Sequence, residues 1–428
     1  MWKRTFSCVF IDSLYNESSL KWGKTMNYRF ELNVEKKEFN HFVENHEYCN
    51  LLQSYQWANV KQNWDHYHTG VYENGTLVAT GLVLIKVLPM NFTMFYIPRG
   101  PIMDYKNEEL LQFYFKELKK VAKKRHCLFI KFDPAILKSK SHLKEEKKDF
   151  DLDLILVNLK KCGAVHKGFT ENMSDTIQPR FNMTEYKEDF NMDNFSKKGK
   201  KNIKIAKNQE VEIRIGNLEL LDDFEKVMKL TEERKGISLR SKNYYKLLLD
   251  TYKENAFITL SYLSIQKSLK NTENKYEKCL MDLKNCPENS KKKKFTLEEL
   301  KISLERKIKE YSISLKKYGE TVCICGTLTI VYGKTSEILY AGMNDEFKRL
   351  MGPYFTWYKT MERCFDLGCE TSNMGGIEGS LKGGLVDFKE IYYPCINEFI
   401  GEFDLPVNKL LFKISLKAYE KMKKRIKS

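Results

Sequence analysis

Between Tyr262 and Tyr318 the chain places an apolar residue at every seventh position, and few folds satisfy that pattern. The first run is Tyr262, Leu269, Tyr276 and Leu283, with Ile265 three residues after Tyr262 and Leu280 four after Tyr276. The second is Leu297, Leu304, Tyr311 and Tyr318, with Ile308 and Leu315 offset by four. A heptad with a second apolar position is the seam of two packed helices, and it is more regular in the second run. Between the runs lies Asn285–Lys294, where Asn285, Pro287, Asn289 and Ser290 are turn-forming residues. The pattern predicts an antiparallel coiled-coil hairpin whose arms measure roughly 1.5 Å per residue. Lys, Glu, Asn and Ser fill its remaining faces, so it projects from a body. Its tip bears Lys291, Lys292, Lys293 and Lys294 in a row. A solvated spacer or a dimerisation zipper accounts for the pattern alone. An arm that touches nucleic acid is the sharper alternative.

The body is folded protein: of 428 residues, 42% are apolar and 13% aromatic, enough for two or three domains with cores of their own. A net charge of +16 favours nucleic acid, an anionic membrane surface or a phosphorylated ligand as partner. The plainer reading is a lysine-rich surface. Eleven cysteines show no paired framework, and Cys323, Cys325, Cys364 and Cys369 have no histidine at zinc-ligand spacing. Neither a metal nor a cofactor is therefore expected. Reduced thiols fit a cytoplasmic protein. No run of eighteen apolar residues offers a membrane span. Residues 1–26 read as a poorly determined lead-in before a first strand at Tyr28–Leu32.

Element signals alternate on both sides of the arm. Helices are expected over Lys36–Asn45 and Leu51–Trp64. Strands follow about the turn Asn74-Gly75, then a strand at Phe92–Ile97 and an amphipathic helix over Glu108–Arg125. Cys127–Phe132 is a buried strand closed by Asp133-Pro134, and this is α/β grammar. The series repeats: a basic helix over Asp193–Gln209, a strand at Val211–Ile215, helices over Glu219–Arg234 and Lys242–Lys253, and a strand at Phe257–Leu263. Beyond the arm come strands at Val322–Tyr332 and Thr335–Ala341, a helix over Met351–Leu367, a strand at Thr371–Met374 and a Gly-rich loop. A basic helix is expected over Leu405–Lys427. Two similar α/β units, the second split by the arm, follow from this order.

Few residues suggest chemistry by themselves. Lys197, Lys198, Lys200, Lys201, Lys204 and Lys207 crowd one helix and cover more than one face, as phosphate neutralisation requires. A solvated helix face is the usual reading of such a run. Arg240 and Tyr244 sit one helical turn apart at a helix start, where an arginine grips phosphate or carboxylate. An ordinary surface pair explains them equally well on local grounds. Gly375-Gly376-Ile377-Glu378-Gly379 and Gly383-Gly384 permit close backbone approach to a ligand, or simply turn the chain. Asp133 is either a base at a strand end or the opening of an Asp-Pro turn. The acetyl-CoA pyrophosphate loop, Arg/Gln-x-x-Gly-x-Gly/Ala, does not occur between strand and helix. With seven histidines and no Ser-His-Asp arrangement, a histidine-led mechanism is not expected.

Several stretches resemble the FemABX family of aminoacyl-tRNA-dependent peptidyltransferases, which build peptidoglycan interpeptide bridges. They are Gln53–Lys61, Tyr96–Pro101, Lys131–Pro134, Ser196–Lys207 before Val211, Arg234–Tyr245, Tyr340–Asp345 with Met351–Tyr354, and Gly375–Lys389. The resemblance implies an α/β (α+β) fold of two GNAT-like subdomains, with the arm inserted in the second. Residues 27–185 would form the first, with 395–428 packing back on it. Residues 186–261 and 319–394 would form the second, and 262–318 the arm. It implies aminoacyl-tRNA as donor, lipid II or UDP-MurNAc-pentapeptide as acceptor, and peripheral contact with the inner membrane face. Arg240, Tyr244, Tyr340 and Lys61 match precursor-binding positions, and Phe388 and Lys389 match a Phe-Lys pair at the transfer site. Asp133 matches a carboxylate proposed as base. The lysines of the basic helix and of Lys291–Lys294 would face tRNA. Phe388-Lys389-Glu390-Ile391 departs from the family's Phe-Lys-x-Gly-Phe, which bears on the loop rather than on the lysine. An acyl-CoA-dependent N-acyltransferase and a non-catalytic tRNA-binding protein are the alternatives, and oligomeric state is open. Deleting Asn271–Ser314 is expected to weaken tRNA use more than precursor binding. Filter binding of charged tRNA checks this, and unchanged tRNA affinity would remove the arm from RNA contact.

Overall fold

Two mixed sheets with helices packed on them account for the body of the protein. The computed structural model describes residues 27–209, 211–287, 289–408 and 411–412. The lead-in 1–26 and most of the terminal helix expected over Leu405–Lys427 lie outside the described residues. Leu405 itself belongs to a strand, Phe403–Pro406.

The first sheet runs Tyr28–Glu31, Asp65–Glu73, Thr76–Val87, Thr93–Ile97, Cys127–Phe132, Phe403–Pro406 and Val165–His166 in spatial order, with Ile102–Met103 beside the third. All its pairings are antiparallel except Thr93–Ile97 with Cys127–Phe132. The helix Glu108–Lys124 makes that parallel crossover. Asn107 caps it by accepting from the Leu110 amide, two acids open it, and two lysines close it. Charge therefore follows the helix dipole at both ends. Its buried stripe is Leu111, Phe115, Leu118 and Ala122, the face read from spacing.

The second sheet repeats the plan. Its order is Glu212–Gly216, Ala256–Ser264, Thr321–Tyr332, Thr335–Met343, Thr371–Ile377, Phe181–Tyr186, Cys395–Phe399, Leu137–His142 and Lys148–Asp149. Again a single pair, Thr335–Met343 with Thr371–Ile377, is parallel, and the helix Gly352–Asp366 crosses between them. The repetition expected from element order is thus present in the topology. The sheets do not divide at 185/186, however. Leu137–His142, Lys148–Asp149 and Phe181–Tyr186 lie in the second sheet, as does Cys395–Phe399, and only Phe403–Pro406 returns to the first. One apolar cluster spans both sheets, joining Leu51, Trp57 and Leu84 to Phe224, Tyr252 and Leu328. Inside that contact Ser54 Oγ lies 2.6 Å from Tyr252 Oη, and Tyr332 Oη donates to Asn40 at 2.9 Å.

Helices Ile265–Lys284 and Lys291–Tyr318 form the inserted hairpin. They are antiparallel, since Tyr276 donates to Glu305 and the Cys279 thiol to the Leu297 carbonyl. Tyr262 belongs to the preceding strand and donates to Asp223. In the first helix the second seam position is Ile265, Thr272 and Cys279, all buried, while Leu280 is 40% exposed. The seam thus advances three residues from Tyr276 to Cys279, not four to Leu280. A thiol and a threonine fill it there, which is why the apolar pattern was irregular. Other boundaries moved too. Leu51–Trp64 is a turn, Leu51–Gln53, followed by the short helix Trp57–Val60. The basic helix starts at Lys197, capped by Ser196, instead of at Asp193.

Phe403 tests the exchanged strand. It is buried and stacks on Phe132 at 5.2 Å between ring centroids. Phe403→Ala should cost about 3–5 kcal/mol in urea unfolding. A loss below about 1 kcal/mol would mean that the strand contributes little to the first sheet.

Candidate functional site

The parallel strands Thr335–Met343 and Thr371–Ile377 pair only from Thr335/Thr371 to Glu337/Asn373. Beyond that they separate, and Tyr340 and the Gly375-Gly376 pair lie on the two sides of the opening. Tyr340 stands three residues past the last pair on one strand and Gly376 three residues past it on the other. Gly375 and Gly376 thus continue the strand, rather than begin a loop after Met374.

Lys389 is hydrogen-bonded to the glycine side of this opening. It ends the short helix Gly384–Lys389 and is 3% exposed. Its Nζ donates to the Gly375 carbonyl at 3.0 Å and to the Gly376 carbonyl at 3.1 Å. No carboxylate pairs with it among the described residues, and one of its three ammonium protons is left over. Burial without a counter-charge brings its pKa down to about 8. The two carbonyls are aimed by their neighbours. Gly375 has φ +86, and its amide donates to Asn373 at 2.8 Å. A Cβ on Gly376 would meet the Pro179 ring at 2.4 Å, so only glycine lets that segment pack. Phe388 packs on Tyr354 and Trp357, with ring centroids at 5.1 and 5.4 Å, and anchors the helix that presents Lys389. The departing residue Ile391 has a definite use: its carbonyl accepts from Ser196 N at 3.0 Å and would lie 2.8 Å from a Cβ on Gly199. The lysine helix is thereby docked directly behind Lys389.

Asp133 lies at the end of the first sheet and connects to the same place. It is buried, accepts from the Arg99 amide at 2.8 Å and from Tyr96 Oη at 3.1 Å, and burial raises its pKa to about 7. Arg99 in turn donates to the Pro179 carbonyl at 2.6 Å. Burial also lifts Glu337 to about 7, against the pull of Asn373 and Arg99. Sequence reasoning missed Arg99 and Glu337. The Pro98-Arg99-Gly100-Pro101 run signalled the first, and nothing distinguished the second from an ordinary strand residue.

The four precursor-binding candidates meet where the lobes touch. Lys61 follows the short helix Trp57–Val60 of the first lobe and lies 5.2 Å from the Trp57 ring. Burial, then the nearby Arg240 of the second lobe, brings its pKa down to about 8. Arg240 lies 5.1 Å from the Tyr244 ring, and Tyr244 meets Tyr340 edge-on at 6.2 Å. Neither cation has an acidic partner among the described residues. Two positive groups near one another without an anion repel, and each favours the other's neutral form.

The basic helix buries Gly199, Asn202, Ile203 and Ala206, and leaves Lys197, Lys198, Lys201 and Lys204 exposed. Among the described residues none of these four forms an ion pair; Lys200 donates to the Asp193 carbonyl. Lys291–Lys294 are exposed in the first turn of their helix, where cations oppose its dipole. Among the described residues no helix is long and apolar enough to cross a membrane.

Lys389 gives a measurable pH effect. Below about pH 8 folded and unfolded chains both hold its proton, and the burial cost is complete. Between about 8 and about 10.4 the folded chain has released the proton and the unfolded chain has not, so stability rises with pH. From pH ~7 to pH ~10 the wild type should gain about 2 kcal/mol more than Lys389→Met in guanidinium unfolding. Equal gains would show that the ammonium is not desolvated.

Comparison with known proteins follows the geometry. The FemAB family model matches residues 34–420. An aminoacyltransferase FemA of Staphylococcus epidermidis is 27% identical over 416 residues, covering 92% of this chain and 99% of that protein. An aminoacyltransferase FemA of Staphylococcus aureus is 27% identical over 418 residues, with the same coverage. The crystal structure of FemX superposes with a TM-score of 0.71 at 25% identity, covering 90% of this chain and 99% of that one.

Proposed function

The chain belongs to the FemAB family and is an aminoacyltransferase of interpeptide-bridge synthesis in peptidoglycan; from that premise we propose how its site works. The donor is an aminoacyl-tRNA, and the acceptor is the stem-peptide amine of lipid II or of UDP-MurNAc-pentapeptide. One observation carries this reading: Lys61 and Arg240, from different lobes, lie near enough for the arginine to lower the lysine's pKa, with no acidic partner among the described residues, and Trp57, Tyr244 and Tyr340 stand about them. Such a pocket suits the phosphates of a muramyl precursor, with aromatic surface for the remainder.

The acceptor peptide would then enter between the separating strands, toward Lys389. Its neutral amine attacks the ester carbonyl. A C–N bond forms, the C–O bond to the tRNA ribose breaks, and the proton lost by nitrogen ends on the departing hydroxyl. Negative charge grows on the carbonyl oxygen, and the remaining Lys389 proton is the donor we assign to it. Held by two carbonyls, that ammonium needs little reorganisation as charge appears. An ester is exchanged for an amide, so the step runs downhill, and placing two large substrates supplies much of the rate. Asp133 would act through Arg99, because its oxygens already accept from Arg99 and Tyr96. The exposed lysines behind Lys389 and those at the arm tip would bind the tRNA backbone. The site would work on precursor at the cytoplasmic membrane face.

The test is to mix the protein with charged tRNAs and each precursor and to weigh the muramyl product, with a ribonuclease-treated arm. One added aminoacyl residue, lost on ribonuclease treatment, is expected. Arg240→Ala should raise the precursor KM by the equivalent of roughly 1.5–3 kcal/mol, with kcat less affected. Lys389→Met should lower kcat about 100-fold or more. Absence of product with every charged tRNA would overturn the donor assignment.

A further inference from the structure

The turn that joins Thr76–Val87 to Thr93–Ile97 in the first sheet points apolar side chains at water. Met90 is 84% exposed and Val87 68%. Leu88 and Phe92, by contrast, pack on the apolar cluster that spans both lobes, and the Leu88 amide donates to the Phe92 carbonyl at 2.7 Å. The turn is thus anchored from within while its tip stands clear. Met90 holds φ +60 and ψ +31, and Asn91 φ +58. Asparagine takes that left-handed backbone readily and methionine does not. Met90 therefore accepts backbone strain with no burial to offset it. From this tip and the charges about it we propose that this end of the first sheet docks on an anionic lipid bilayer, with Val87 and Met90 in the interfacial layer.

The segments beside the turn are basic. Thr93 donates its amide to the His126 carbonyl at 3.2 Å and its hydroxyl to the Arg125 carbonyl at 2.7 Å. The last turn of the helix Glu108–Lys124 is thereby fixed near the tip, with Lys123 and Lys124 exposed. Lys86 immediately precedes Val87, and its ammonium lies 5.6 Å from the Trp64 ring. The segments Lys61–His66, Lys86–Thr93 and Lys123–Cys127 contain one acid, Asp65, and Arg125 holds it at 2.5 Å. Lysines around an apolar tip suit anionic lipid headgroups. The half-buried Trp64 is of the residue type that settles where headgroups meet acyl chains. A nucleic acid would engage the lysines but leave the aliphatic side chains in water.

The use of such docking rests on the proposed function, in which Lys61 meets precursor phosphate. The Trp64 amide donates to the Lys61 carbonyl at 2.8 Å. Lys61, Trp64, Lys86 and Val87 thus lead by contact and by sequence from that phosphate position to the tip. In a lipid-linked precursor the phosphates stand at headgroup level. A tip resting in the interfacial layer would bring Lys61 to that level, with the body of the protein above the membrane. A small apolar tip and a few lysines give weak, reversible attachment. That suits an enzyme which must leave each product to find the next acceptor.

The test is sedimentation of the full chain with vesicles of mixed phosphatidylglycerol and phosphatidylcholine, with pure phosphatidylcholine as control. The wild type should bind the mixed vesicles, bind the neutral ones far less, and be released by salt. Val87→Asn combined with Met90→Asn should lower partition about tenfold or more. Lys123→Glu combined with Lys124→Glu should lower it by a similar factor. Met90→Asn alone should keep the melting temperature, because asparagine suits the turn. With bromine-labelled acyl chains, Met90→Trp should be quenched beyond the wild type, whereas Met281→Trp, on the arm, should not. Transfer to lipid II in vesicles should fall in the asparagine pair, and transfer to lipid II in detergent micelles should hold. A wild type that binds vesicles as described but transfers nothing would overturn the proposed function and uphold this surface. No binding by the wild type, unchanged binding by the asparagine pair, or no added quenching at Met90→Trp would overturn the surface. The tip would then be covered by another part of the chain or by a second copy.

Discussion

A lysine ammonium buried against two peptide carbonyls is the constraint from which the site is built. The charge of Lys389 is met by the Gly375 and Gly376 carbonyls instead of by a carboxylate. A carboxylate would neutralise it and leave nothing for a substrate oxygen. Carbonyls stabilise the cation while preserving its net charge. That choice dictates the surroundings. The backbone must turn its carbonyls inward, which Gly375 does at positive φ with Asn373 holding its amide. Pro179 must pack where a side chain on Gly376 would stand. Arg99 must hold Pro179, and Asp133 must hold Arg99. The path from one sheet to the other thus consists of hydrogen bonds and one close contact.

The second constraint is the junction between lobes. Lys61 and Arg240 would separate if the lobes moved independently, since repulsion is what each feels in the other's presence. The shared apolar cluster prevents that. Trp57 supports Lys61 and belongs to the same cluster as Phe224 and Tyr252. Hydrophobic burial therefore holds in place an electrostatic arrangement that is unfavourable without an anion.

Much of this was legible because apolar spacing is a strong signal. The helix Glu108–Lys124 has its stripe, cap and dipole charges in plain view. The second arm helix keeps its seven-residue spacing in plain view, and Leu304 on it is buried. Polar strands were illegible. Leu137–His142 is written in lysine and serine, because Ser139 and Lys138 both serve the buried Glu398 of the neighbouring strand. Such a strand has no alternating apolar face. Cys395–Phe399 and Phe181–Tyr186 were missed as well, as central strands with buried Asn397 and Asn182 among apolar residues. The candidate residues were named from family motifs; only their convergence is new, and no one-dimensional pattern contains that Lys61 sits beside Arg240.

The strand Phe403–Pro406 lies between Cys127–Phe132 and Val165–His166 in the first sheet. Nearly the whole chain is therefore synthesised before that sheet can be completed. Until then Cys127–Phe132 presents an unpaired edge, and Lys131 lacks the Asp404 carboxylate it meets in the finished protein. The two lobes cannot mature one after the other on the ribosome, as separate domains do. An N-terminal fragment ending before Glu402 would expose a sticky, charged ledge.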